Sequence, residues 1–136
     1  MSLDVSLFYS VEEFLPAADL LEEKGFLRAA EYLREEVAKE HLYVYDSNIT
    51  HNLGRMADAA GIYHACWWPE EIGVTKARQL IPLLREGLIK LRSNPEYFRT
   101  FNAANGWGTY EQFVPWVQEY LDACEQYPDA EVRASR

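Results

Sequence analysis

Apolar positions recur on two different periods along this chain. Leu3, Val5 and Leu7 alternate with Asp4 and Ser6, the period of a half-buried strand. Ser10 with Glu13 three positions on makes a capping-box signature, and a helix is expected over residues 12–23. Pro16 must kink that helix or lie in its first turn, and Gly25 supplies its stop. Phe26, Ala30, Leu33 and Val37 then recur at helical spacing, with Arg28, Glu31, Arg34, Glu35 and Lys39 on a face expected to be solvated. The aromatic, β-branched run HLYVY, residues 41–45, reads as a second strand.

Leu53, Met56, Ala57 and Ala60 form the stripe of a short helix that Gly61 ends. Trp67, Trp68 and Pro69 interrupt the pattern, and Glu70 with Glu71 suits a helical first turn. Thr75 is placed to cap the longest helix, which runs to about Arg92 with Leu80, Leu84, Leu88 and Leu91 on one face. Pro82 and Gly87 weaken its middle. Asn94-Pro95 starts a short helical turn, and Thr109 with Gln112 forms a second capping box. Behind it Phe113, Trp116, Val117, Tyr120, Leu121 and Cys124 make a continuous core stripe, and weak alternation over 131–135 offers a third strand. The expected fold is one α+β domain spanning residues 1–136 and predominantly helical. Five or six helices pack on a small two- or three-stranded antiparallel sheet, and the helical pair at 11–39 is an elaboration between the first two strands.

Composition bounds the partners. The chain has 136 residues with 49% hydrophobic residues, so it can bury a core without disulfides or metals and is not disordered. A net charge of −9 argues against a nucleic-acid backbone or an anionic membrane as partner, since both call for a basic patch. No basic-plus-apolar leader opens the chain and no apolar run approaches the roughly 20 residues that span a bilayer. Cys66 and Cys124 are isolated in sequence and read as reduced, buried thiols, which points to the cytoplasm. The acidic residues gather on helix faces, so the charge speaks to solubility more than to function.

The densest polar cluster is DSNITHN at residues 46–52, read as a turn between the second strand and the following helix. Such a corner offers unpaired backbone N–H groups, and Asp46, Asn48, Thr50 and Asn52 add polar contacts for a ligand. His51 would be the acid or base of any hydrolysis or transfer. The competing account is plain capping, which these residue types also do but which needs only one of them. A second candidate is Asn105-Gly106-Trp107-Gly108, where two glycines can hold an indole in place to stack on a base, sugar or other ring. Alternatively Trp107 folds back on the last helix. No P-loop or dinucleotide fingerprint occurs. A metal site would have to recruit His51, Asp46, His41 and His64 at spacings no zinc motif uses, so none is expected. Cys66 two positions from His64 raises a thiol nucleophile, but closeness in sequence does not make the two face each other.

The opening MSLDV, the stretch SNITHNLGRMADAAGIYHACWWPEEI, the segment NGWGTYEQFVPWVQEYLDAC and the closing PDAEVRASR resemble a family of small bacterial and phage proteins of unknown activity. The resemblance implies a cytosolic protein of bacterial or phage origin and carries no catalytic role or cofactor with it. The expected function is therefore a small-ligand-binding protein, or a minor hydrolase or transferase, with its site where DSNITHN meets NGWG. The rival is an acidic, non-catalytic protein-interaction module, with one of Trp67 and Trp68 in the core and the other at a rim that can anchor a homodimer.

Overall fold

The structure, a computed structural model, describes residues 2–10, 15–35 and 42–136. Three strands make one antiparallel sheet in the order β2-β1-β3, with β1 at Ser2–Tyr9, β2 at Leu42–Thr50 and β3 at Glu131–Ser135. Leu3, Val5 and Leu7 of β1 are buried, and the register sets Ile49, Ser47 and Tyr45 of β2 opposite them. Ala134 and Val132 of β3 complete that inner face. Asp4 and Ser6 alternate to the outer face, together with Asn48 and Asp46 of β2. The register between β1 and β2 shifts at Leu7/Phe8, where Val44 is the extra residue of a bulge.

Two long helices cover the inner face. They are α5 at Ala77–Ser93 and α7 at Tyr110–Gln126. In α7 the buried residues include Phe113, Trp116, Val117, Tyr120, Leu121 and Cys124, which is the stripe the spacing predicts. Its start is the expected capping box: Thr109 Oγ1 accepts the Gln112 N–H at 3.3 Å, and Gln112 Oε1 accepts the Thr109 N–H at 3.0 Å. The cap of α5 differs from expectation. Lys76 is the capping residue, and the first two helical N–H groups, of Ala77 and Arg78, donate to the carbonyls of Ala130 and Pro128. Gly87 lies mid-helix because Ile62 packs against it: a Cβ there would run into Ile62 Cγ2.

Shorter helices fill the rest. α1 at Leu15–Glu23 and α2 at Leu27–Glu35 form the expected pair, and Gly25 turns between them at φ 85. Arg34 is on the face expected to be solvated, yet it bridges to Asp19 at 2.6 Å and Glu22 at 2.7 Å. Glu13, Val37, Lys39 and His41 lie outside the described residues. α3 at Gly54–Ala59, α4 at Tyr63–Trp67 and α6 at Pro95–Arg99 complete a set of seven among the described residues. That is more than five or six because α4 and α6 are only 5 residues each. Leu53, Met56, Ala57 and Ala60 are all buried, and Gly61 ends their stretch at φ 78. Among the described residues no helix is long and apolar enough to cross a membrane.

Candidate functional site

Residues 46–50 are not a turn. They continue β2 as far as Thr50, and the chain then makes a 3-10 turn at His51–Leu53 before α3. Asp46, Ser47 and Asn48 have low strand propensity. They are held extended because Ser6, Val5 and Asp4 of β1 pair with them. The polar cluster thus lies along the end of an edge strand and at the corner after it.

Only one of its side chains caps the helical turn: Thr50 Oγ1 accepts the Asn52 N–H at 3.3 Å. Ser47 faces inward, where its Oγ accepts the Trp116 indole N–H at 3.1 Å. Asn52 reaches across 55 positions, its Nδ2 donating to the Trp107 carbonyl at 2.7 Å. His51 Nδ1 accepts the Trp67 indole N–H at 2.9 Å, from a tryptophan that is itself buried. That bond assigns the lone pair to Nδ1 and the proton of the neutral ring to Nε2. His51 therefore presents a donor. The side chains of Asp46 and Asn48 make no hydrogen bond to the described residues.

The NGWG loop docks on this corner. Asn105 Oδ1 accepts the Trp107 N–H at 3.0 Å, and Gly106 turns the chain at φ 77. Gly108, at φ 121, lies so close to the corner after β2 that a Cβ would meet Asn52 Cβ at 3.0 Å and Thr50 Cγ2 at 3.2 Å. Trp107 does not fold back on α7; it remains 72% exposed. Of the Trp67–Trp68 pair, Trp67 is in the core, while Trp68 is half-buried under Arg136, whose guanidinium carbon is 3.5 Å from the ring centroid.

A groove of about 820 Å³ follows from this docking. Asn48, Thr50, His51, Asn52, Asn105 and Trp107 all line it. Asp46 does not, because it lies two residues farther along the outer face of β2. Gln112, Trp116, Ser2 and Ile49 also line the groove, and sequence spacing gave no signal for them. Among the described residues the lining holds no carboxylate, lysine or arginine. Its uncommitted polar atoms are mostly donors: His51 Nε2–H, the Asn105 amide, and Gln112 Nε2, whose Oε1 already accepts two backbone N–H groups. Among the described residues no three His, Cys, Asp or Glu side chains gather as metal ligands, and His41 lies outside them.

The thiols are remote from this chemistry. Cys66 is fully buried while His64 is exposed, so the two do not form a nucleophile and base. Burial pushes the Cys66 thiol far up, and pushes that of Cys124 up to about 12. Comparison with protein-family models, curated proteins and solved structures finds no match for this chain, so the functional reading rests on the groove's own residues.

Proposed function

We propose that the chain binds a small, uncharged, oxygen-rich ligand with a flat face, a sugar ring or a nucleobase, in the groove between the end of β2 and the NGWG loop. The observation that carries this reading is Trp107, 72% exposed beside uncommitted amides rather than packed into the core. A tryptophan with that exposure offers a stacking surface, and the loop backbone that carries it is already held by Asn105 and Asn52. The donors of His51, Asn105 and Gln112 suit carbonyl or hydroxyl oxygens on the ligand. An uncharged lining in a chain of net charge −9 favours a ligand that brings no charge of its own.

The same geometry favours binding over hydrolysis or transfer. His51 can polarise a ligand oxygen through Nε2–H, but its Nδ1 is engaged by Trp67, and the lining supplies no carboxylate to activate water. The reading is tested by thermal shift with panels of neutral sugars and nucleosides on wild type, Trp107→Ala and Asn48→Ala. A ligand that raises the wild-type melting temperature and loses that effect in Trp107→Ala supports it. If no panel member shifts the wild type, the reading fails.

A further inference from the structure

His51 also borders a second hollow of about 900 Å³, on the side of α3 and α4. Tyr63, Trp67, Tyr97 and Phe101 supply its aromatic walls. These walls have little unmet polar demand. Tyr63 stacks on Trp67 at 5.4 Å and 17°, its hydroxyl accepts the Trp68 indole N–H at 3.2 Å, and Phe101 meets Tyr97 edge-on at 5.4 Å. Arg136 is committed as well, to Trp68, to the Trp67 carbonyl at 2.8 Å and to Glu70 at 2.7 Å.

Two charged groups in the lining are not committed. Arg55 and Asp58 stand three positions apart on α3, a spacing that puts them on one helix face with about 5–6 Å between their Cβ atoms. The side chain of neither makes an ion pair or hydrogen bond with the other or with any described residue. Most of the arginines described have found partners: Arg34, Arg78, Arg85, Arg99 and Arg136 each hold a carboxylate. In so acidic a chain, an unpaired arginine beside an unpaired aspartate at an aromatic hollow is a matched pair of opposite charges with a place for a ring next to it.

We infer that this hollow binds a free aromatic α-amino acid as its zwitterion, with the carboxylate on Arg55, the ammonium on Asp58 and the ring against Tyr63, Tyr97 and Phe101. Arg55 suits a carboxylate because its planar fork can take both oxygens. The two head-group charges of an α-amino acid sit one carbon apart, which matches two side chains converging from one helix face. The site shares only His51 with the Trp107 groove and does not depend on a ligand there.

The experiment is an NMR titration of the full chain with L-phenylalanine, following backbone amides of α3, α6 and residue 101. Saturable shifts confined to that region are expected. 3-Phenylpropionate, which lacks the ammonium, and phenethylamine, which lacks the carboxylate, are expected to bind at least tenfold more weakly. Arg55→Gln and Asp58→Asn should each weaken L-phenylalanine by a similar factor, while Trp107→Ala should leave its affinity unchanged. Both charged residues are exposed, so a native amide spectrum for the variants is expected and confirms their fold. The inference is overturned if L-phenylalanine gives no saturable shift up to 10 mM, a ceiling set at about 3 kcal/mol of binding. Equal binding of either singly charged analogue, or wild-type affinity in both charge variants, also overturns it.

Discussion

Replacing Gly108 by alanine tests how the loop and the strand end together make the groove. At φ 121 an alanine sits in a backbone region that costs on the order of 1–3 kcal/mol for a residue with a side chain. Its Cβ would also lie 3.0 Å from Asn52 Cβ and 3.2 Å from Thr50 Cγ2. Both are contacts with atoms close to the backbone, at the end of β2 and in the 3-10 turn after it, so overpacking adds about 1–3 kcal/mol. The loss of unfolded-state freedom returns about 0.4–1 kcal/mol. The expected net loss is about 1–5.5 kcal/mol, centred near 3, which at roughly 4 °C per kcal/mol for a domain of this size lowers Tm by about 12 °C at the centre of that range. Gly106→Ala is the control, because φ there is 77 and nothing lies within 4 Å of its Cβ, so only conformational strain of about 1–2 kcal/mol applies. Urea unfolding of the two variants measures the difference. A Gly108→Ala loss no larger than that of Gly106→Ala would refute the docking of the NGWG loop on Thr50 and Asn52.

Gly87→Ala should destabilise by about 1–3 kcal/mol through the clash with Ile62, and become neutral or favourable in an Ile62→Ala background; urea unfolding of the four-member cycle checks this, and additive losses would count against the contact. Trp67→Phe removes the donor to His51 Nδ1, so stability should fall by about 0.5–1.5 kcal/mol and the His51 ring nitrogens should lose their fixed Nε2–H tautomer in long-range ¹H–¹⁵N spectra; an unchanged tautomer would exclude that bond as its cause. Burial raises the thiols of Cys66 and Cys124 and the hydroxyl of Tyr120 above their unfolded values, so the folded chain keeps protons that the unfolded chain releases. Stability from these groups is complete below about pH 8.5 and declines above it, by up to about 1.4 kcal/mol per pH unit per group, through the Cys124 value of about 12. Denaturation midpoints between pH 8 and 10.5 should therefore fall, and less steeply in a Cys66→Ala, Cys124→Ala variant; equal slopes would contradict the assignment.

What the sequence made legible follows from which interactions are local. The α7 stripe and its Thr109–Gln112 cap depend on residues three and four apart, so spacing alone locates them. The polar cluster at 46–52 is legible as a cluster, but local propensity reads it as a turn where the structure has a strand through Thr50. Its extended form depends on pairing with β1, about 40 residues away, and local propensity carries no trace of that. The same holds for the groove. Asn48, Thr50, His51, Asn52, Asn105 and Trp107 come together, while Asp46, on the same face as Asn48 but two residues farther along β2, lies past the groove's end.

The roles of these residues needed partners that no spacing could name. Thr50 caps, Ser47 holds Trp116 and Asn52 holds the loop, so three of the seven cluster residues are structural. His51 is oriented by a buried indole sixteen positions on, which converts an expected acid–base group into a fixed donor. Capping and site were thus not exclusive accounts of the cluster. The residues that cap and clamp hold the backbone of the corner and the loop together, and that framework is what brings Asn48, His51 and Trp107 to one groove.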